Sequence, residues 1–177
     1  WSDEISIPYA PMLGCIGTAP EWGVPTTGPG GPHGGNMDIL ETAPGATVYL
    51  PVVVPGAGLG LGDVHGAMGD GEITFIGLEI QAVVTVRVEL HKGAGIQRPL
   101  IETANHWVTT GDGESLAAAA RLAAGEMVDL LQARLGLCFE DAYMLMSAAV
   151  DVQICQCCEP GEFPTTARAV ISKQILP

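Results

Sequence analysis

The residues best able to do chemistry lie in one short run, Gly62-Asp63-Val64-His65-Gly66-Ala67-Met68-Gly69-Asp70-Gly71-Glu72. Asp63 and His65 stand two apart, and so do Asp70 and Glu72. In an extended segment, side chains two apart project to the same side. Each pair can therefore aim two groups at one point, and the glycines between them allow a tight loop that folds one pair toward the other. Carboxylates and an imidazole gathered in this way suit a divalent metal of the zinc or manganese kind. They equally suit general acid–base work without metal. The run is not an EF-hand loop, because Ala67 stands at the fifth position and the glycine is misplaced. The plain alternative is a surface turn in which Asp caps backbone amides. Two pairs and a histidine beside apolar strands weigh against it.

Other candidates are less pointed. Asn36 and Asp38 follow Gly34-Gly35 and precede Ile39-Leu40. They read either as an Asx-turn or as an amide and a carboxylate held at a site by rigid backbone. Glu79 sits between Leu78 and Ile80, where burial would raise its pKa; Glu79 and Glu89 otherwise face solvent. Cys155-Gln156-Cys157-Cys158 lacks the second ligand pair of a closed zinc site and reads as structural. His33, His91 and His106 are scattered, and His106 beside Trp107 reads as packing or surface. The chain has no P-loop, no G-x-G-x-x-G and no G-x-S-x-G, so nucleotide folds and a serine nucleophile elbow are unsupported.

The elements that must carry these residues are β-rich at first. Thr47 to Val54 reads as a strand that Pro51 confines to an edge or a bulge. Ile73 to Ile76 reads as a short strand. Gln81 to His91 is the clearest one, with Ala82, Val84, Val86, Val88 and Leu90 on one side of a period-two pattern. Leu100 to Thr110 is a further strand. From Glu114 to Leu135 the spacing of Leu116, Ala120, Ala123, Met127, Leu130, Leu131 and Leu135 predicts a helix, with Asp112 as N-cap and Gly136 at C′. A second helix follows from Glu140 to about Ala149, with Cys138 or a neighbour as a poor N-cap. Val150 to Cys155 and Ala167 to Ile171 read as extended. The order predicts an α+β fold: a β-rich, sandwich- or barrel-like part over residues 1–110, then a helical hairpin plus strands over 111–177.

Composition narrows the partners. A net charge of −13 repels nucleic acid and anionic membranes, which leaves a cation or a small neutral substrate. With 47% hydrophobic and 15% charged residues, the chain is not disordered. Its longest uncharged run, Thr42 to Gly62, contains Pro44, Pro51 and Pro55 and cannot be a continuous membrane helix. No signal peptide is evident. Five cysteines, an odd count with three crowded together, suit reduced thiols in a cytoplasm. The chain begins with Trp1 rather than Met, as expected of a piece of a longer polypeptide.

On these residues the chain resembles the C-terminal part of the acetamidase/formamidase family. The stretches that carry the resemblance are Pro11-Met12-Leu13-Gly14-Cys15-Ile16-Gly17-Thr18-Ala19-Pro20, Gly34-Gly35-Asn36-Met37-Asp38, Leu50-Pro51-Val52, the whole Gly62-to-Glu72 run, and Ala142-Tyr143-Met144-Leu145-Met146-Ser147. The resemblance implies hydrolysis of short linear amides, of the formamide or acetamide kind, to ammonia and a carboxylate. It also implies a β-rich α+β fold, a homo-oligomer, and an upstream third to two-fifths that this chain lacks and that a separate segment or second chain would supply.

Such hydrolysis needs activated water or a nucleophile, a proton donor for nitrogen and charge stabilisation at oxygen. With no recognised Ser or Cys nucleophile motif, metal-activated water is the preferred mechanism. Asp38, Asp63 and His65 are then the expected metal ligands, Asp70 or Glu72 the base, and Asn36 the donor to the carbonyl oxygen. Two alternatives stay open. One is a metal-free amidase using a carboxylate pair or Cys15. The other is a non-catalytic subunit that kept the fold.

Overall fold

The computed structural model describes residues 2–21, 23–158 and 164–176. In chain order the elements are β1 (Met12–Gly17), β2 (Gly30–Gly31), β3 (Gly34–Asn36), β4 (Thr47–Tyr49), β5 (Gly60–His65), β6 (Leu100–Glu102), β7 (His106–Gly113), α1 (Leu116–Leu135), α2 (Phe139–Ala149), β8 (Val150–Gln156) and β9 (Thr165–Ser172). They form two antiparallel sheets, one ordered β2-β3-β1-β5 and the other β4-β6-β7-β9-β8. The fold is α+β and β-rich, with a helical hairpin connecting β7 to β8, the two strands that flank β9 in the larger sheet.

The larger sheet is the middle of three layers. Strands β7 and β9 are buried along nearly their whole length, as strands covered on both faces must be. Trp107, Ala169 and Ile171 face the helices and join Ala123, Met127, Val128, Leu131 and Ala142 in one core. Val108 and Val170 face the other way and join Ile16, Met37, Ile39, Ile101 and Cys155 between the sheets. Helix α1 approaches β7 closely enough to require small residues on both sides. A Cβ added at Gly111 would lie 2.2 Å from the Ala119 carbonyl oxygen and 2.5 Å from the Ala123 nitrogen.

Several local expectations are corrected. The α1 N-cap is Ser115, whose hydroxyl accepts from the Ala118 N–H; Asp112 lies three residues earlier in β7 and pairs with Arg98. The buried stripe of α1 is Ala119, Ala123, Met127, Val128 and Leu131, because a 3.6-residue period seats Leu131 inward and leaves Leu130 at the rim. Gly136 closes the helix in the left-handed region, its N–H bonded to the Gln132 carbonyl. Cys138 caps α2 without a side-chain hydrogen bond, and Glu140 and Asp141 in the first turn complement the helix dipole instead. Leu100 to Thr110 is a hairpin rather than one strand, since Thr103 Oγ1 accepts from the amides of Asn105 and His106 and turns the chain. Ile73 to Ile76 forms no strand; Phe75 has φ 64°, which breaks extension. Gln81 to His91 joins neither sheet. Its alternation is real, but no strand among the described residues lies beside it, and it stands exposed.

Candidate active site

The site begins at the β1–β5 pair. His65 ends β5 opposite Met12 of β1 and is fully buried. Asp63, two residues back on the same strand, places Oδ1 3.3 Å from His65 Nε2. The chain then turns and returns along β5. The Gly66 N–H bonds to the Leu78 carbonyl at 2.7 Å and the Ile80 N–H to the Val64 carbonyl at 3.1 Å. That short return sets Glu79 opposite His65, with Oε1 3.1 Å from Nε2. Glu72 Oε1 lies 3.8 Å from the same nitrogen, and Asp38 Oδ1 lies 4.0 Å from Nδ1 on the other side of the ring.

Four carboxylates thus surround one buried imidazole within ion-pair distance, yet neither ring nitrogen makes a hydrogen bond among the described residues. Asp38 and Glu72 are themselves buried, whereas Asp63 and Glu79 open the site toward solvent. Buried carboxylates crowded together are costly without a compensating cation. The ligating atoms of Asp38, Asp63 and His65 lie within 4.8 Å of one another, as do those of His65, Glu72 and Glu79. A mixed oxygen and nitrogen donor set of this kind fits a divalent ion.

The backbone is held in costly conformations to achieve this. Asp38, Asp63 and Glu72 have φ of 50°, 56° and 40°, in the left-handed region that non-glycine residues rarely occupy. Such outliers persist where the surroundings over-determine them, and they concentrate at functional sites. For Asp38 the surroundings include Gly14, whose carbonyl accepts the amides of both Met37 and Asp38. Gly14 and Gly77 are pressed against the cluster. A Cβ at Gly14 would meet an oxygen of Asp38 and one of Asp63, each at 2.6 Å, and a Cβ at Gly77 would meet the His65 ring at 2.6 Å.

Asp38, Asp63, His65 and Glu72 are brought together; Asp70 and Asn36 are placed differently. Asp70 and Glu72 diverge because the positive φ at Gly71 and Glu72 turns the chain between them, so the period-two expectation does not hold there. Asp70 Oδ1 instead pairs with Arg168 Nη2 at 2.8 Å, and Arg168 Nε pairs with Glu41 at 2.8 Å. Asn36 is buried on β3, on a rung with Cys15 and Gly62, and its Oδ1 has no hydrogen-bond partner.

Three residues at or around the cluster carried little or no signal in the sequence. Gln156 Nε2 donates to Asp38 Oδ2 at 2.7 Å and to Glu72 Oε2 at 3.1 Å. Arg168 is buried and fixes the loop that precedes Glu72. Glu79 showed only its place between two apolar residues. Burial raises the Glu79 pKa, His65 opposes that, and Asp63 and Glu72 reinforce it. Burial, then Asp63 and Asp38, raise the Cys15 pKa, which disfavours the thiolate a nucleophile needs. Burial pushes the Cys155 thiol up to about 12.

The acetamidase/formamidase family profile matches residues 22–175. The chain belongs to that family. It is 43% identical over 75 residues to a formamidase of Methylophilus methylotrophus, a match covering 40% of this chain and 18% of that protein. Its fold superposes on the crystal structure of an acetamidase from Bacillus halodurans with TM-score 0.92 and 42% identity, covering 98% of this chain and 58% of that one. An acetamidase from Yersinia enterocolitica gives TM-score 0.95 and 33% identity, covering 100% of this chain and 53% of that one. The chain therefore spans little more than half the length of these solved family members.

Proposed function

We propose that this site hydrolyses short aliphatic amides of the formamide and acetamide kind, with a divalent ion, zinc by first choice, held by Asp38, Asp63 and His65. The observation that carries this reading is the His65 ring, buried with four carboxylates within ion-pair distance of its nitrogens, in a chain of this family. When bound, such an ion supplies Lewis acidity and a water of lowered pKa.

The chain's own residues do the rest. Glu72 is buried beside His65 and is the base that takes a proton from water. The water oxygen bonds to the carbonyl carbon, the C–N bond breaks, and the proton passes from Glu72 to the nitrogen that leaves as ammonia. Glu79 borders the same cluster from the solvent side and offers a second proton-transfer route. Asp70, paired with Arg168, holds the Gly71–Glu72 turn in place rather than acting as base. The raised Cys15 thiol weighs against a cysteine amidase. Ammonia release from formamide and acetamide tests the reading, and no release from either would refute it.

The active assembly, in this reading, contains more than this chain. Val83, Val86, Val88 and Leu90 are exposed, Val83 by 98%, on a segment that pairs with no strand among the described residues. The further chain that the solved relatives carry is the first candidate to cover it. A second copy in a homo-oligomer is the next. No helix among the described residues is long and apolar enough to cross a membrane. All five cysteines are free, which supports a reducing compartment, the cytoplasm.

A further inference from the structure

We propose that Gln156 is a positioning residue of this site: its side-chain amide sets how the Asp38 and Glu72 carboxylates face His65. The inference rests on the reading that this cluster is the reaction centre. An amide nitrogen carries two hydrogens, and Gln156 gives one to Asp38 Oδ2 and one to Glu72 Oε2. The other oxygen of each carboxylate faces the imidazole, Asp38 Oδ1 toward Nδ1 and Glu72 Oε1 toward Nε2. Gln156 thus holds one oxygen of each carboxylate while the other oxygen faces the imidazole. The orientation of the amide follows from its partners, since a carbonyl oxygen turned toward two carboxylates would meet only acceptors.

The choice of residue matters. Lysine or arginine could hold both carboxylates but would also neutralise them. A neutral amide binds one oxygen of each and leaves both negative charges available to a cation or a proton. Stability alone does not account for Gln156. It is 1% exposed, and its Oε1 has no hydrogen-bond partner among the described residues, where an apolar side chain would leave no polar atom to satisfy.

The fold delivers this side chain by a device. Strand β8 shifts register against β9 between Ile154 and Gln156. At this irregularity two consecutive residues, Cys155 and Gln156, are both buried. The same stretch is tied to the Glu72 turn. The Gly71 N–H bonds to the Cys155 carbonyl at 3.2 Å, and the Cys157 N–H bonds to the Gly71 carbonyl at 3.3 Å. The bulge, the turn and the amide together hold two carboxylates that lie far apart in the sequence.

The test uses Gln156→Met, which keeps length and removes both donors, and Gln156→Asn, which keeps the amide one methylene short of its partners. A crystal structure of Gln156→Met is expected to show Asp38 or Glu72 rotated away from its present orientation. Zinc affinity measured by titration calorimetry is expected to fall about 10–100-fold, the usual effect of losing a group that orients a ligand. For amide hydrolysis, kcat is expected to fall in like measure while KM stays within about threefold, the pattern of a lost transition-state contribution. Carboxylates unmoved and zinc affinity within about twofold of the parent would overturn the proposal. If Gln156→Met does not fold, the same readouts on Gln156→Asn decide. Should the parent release no ammonia, the proposed activity falls, and the crystal structure and zinc titration still decide the role of Gln156.

Discussion

Gly77→Ala is the sharpest probe of how tightly the site is built. The added methyl would lie 2.6 Å from His65 Cγ, 2.7 Å from Nδ1 and 3.0 Å from Cδ2. An ordinary carbon contact is about 3.5–4.0 Å, so the shortfall is about 1 Å. The ring is itself fully buried, and any shift moves it relative to Asp38, Asp63, Glu72 and Glu79. Gly77 is not among the residues of positive φ, so the substitution adds contact without backbone strain. Overpacking of this kind costs about 1–3 kcal/mol. A catalytic group displaced by about 1 Å loses on the order of 100-fold in rate. The expected result is therefore a modest fall in melting temperature with a drop of about 100-fold in kcat/KM for ammonia release. Gly69→Ala is the control: nothing lies within 4 Å of its added methyl, and it should match the parent. Gly77→Ala with undiminished kcat/KM would refute the placement of His65 at the reaction centre.

In the core, Leu131→Ala should cost about 2–5 kcal/mol by chemical denaturation and Leu130→Ala less than half of that, because only Leu131 is fully enclosed; equal costs would mean that the helix face is misassigned. Burial alone would raise the Glu102 pKa, but hydrogen bonds from Lys173 and Tyr49 hold its carboxyl below the usual 4.5. Its stabilising contribution is therefore fully present above about pH 4.5 and is lost as pH falls through the lower folded value. Glu102→Gln should destabilise at neutral pH and flatten the acid decline, as read from urea midpoints across that range. Residues 1–177 alone should self-associate in sedimentation through the exposed apolar side of this segment, Val84, Val86, Val88 and Leu90; a sharp-melting monomer would show that this side needs no cover.

Asp63 and His65 were legible as a pair two apart on β5, and the strand rule places them at one point although Asp63 itself sits at φ 56°. The same rule separates from the structure at Asp70 and Glu72, where left-handed backbone at Gly71 and Glu72 intervenes. Gln156, Arg168 and Glu41 were not legible at all. Gln156 is 118 residues from Asp38 and 84 from Glu72, and only the sheet stacking brings them together. Its neighbours, three cysteines, drew the eye to the wrong side chains of that stretch. The helical hairpin was legible from its composition, but Leu130 and Leu131 both fit its apolar spacing, and only the packing of α1 on the sheet seats Leu131 inward. Gln81 to His91 shows the opposite limit. Its alternation marks a strand, but a strand needs a neighbour, and none among the described residues supplies one.

The most direct test of metal-centred amide hydrolysis is His65→Ala, with zinc content and ammonia release measured on the same preparation. Removal of the imidazole from the Asp38, Asp63 and His65 donor set should abolish both together. Undiminished ammonia release from metal-free His65→Ala protein would contradict it.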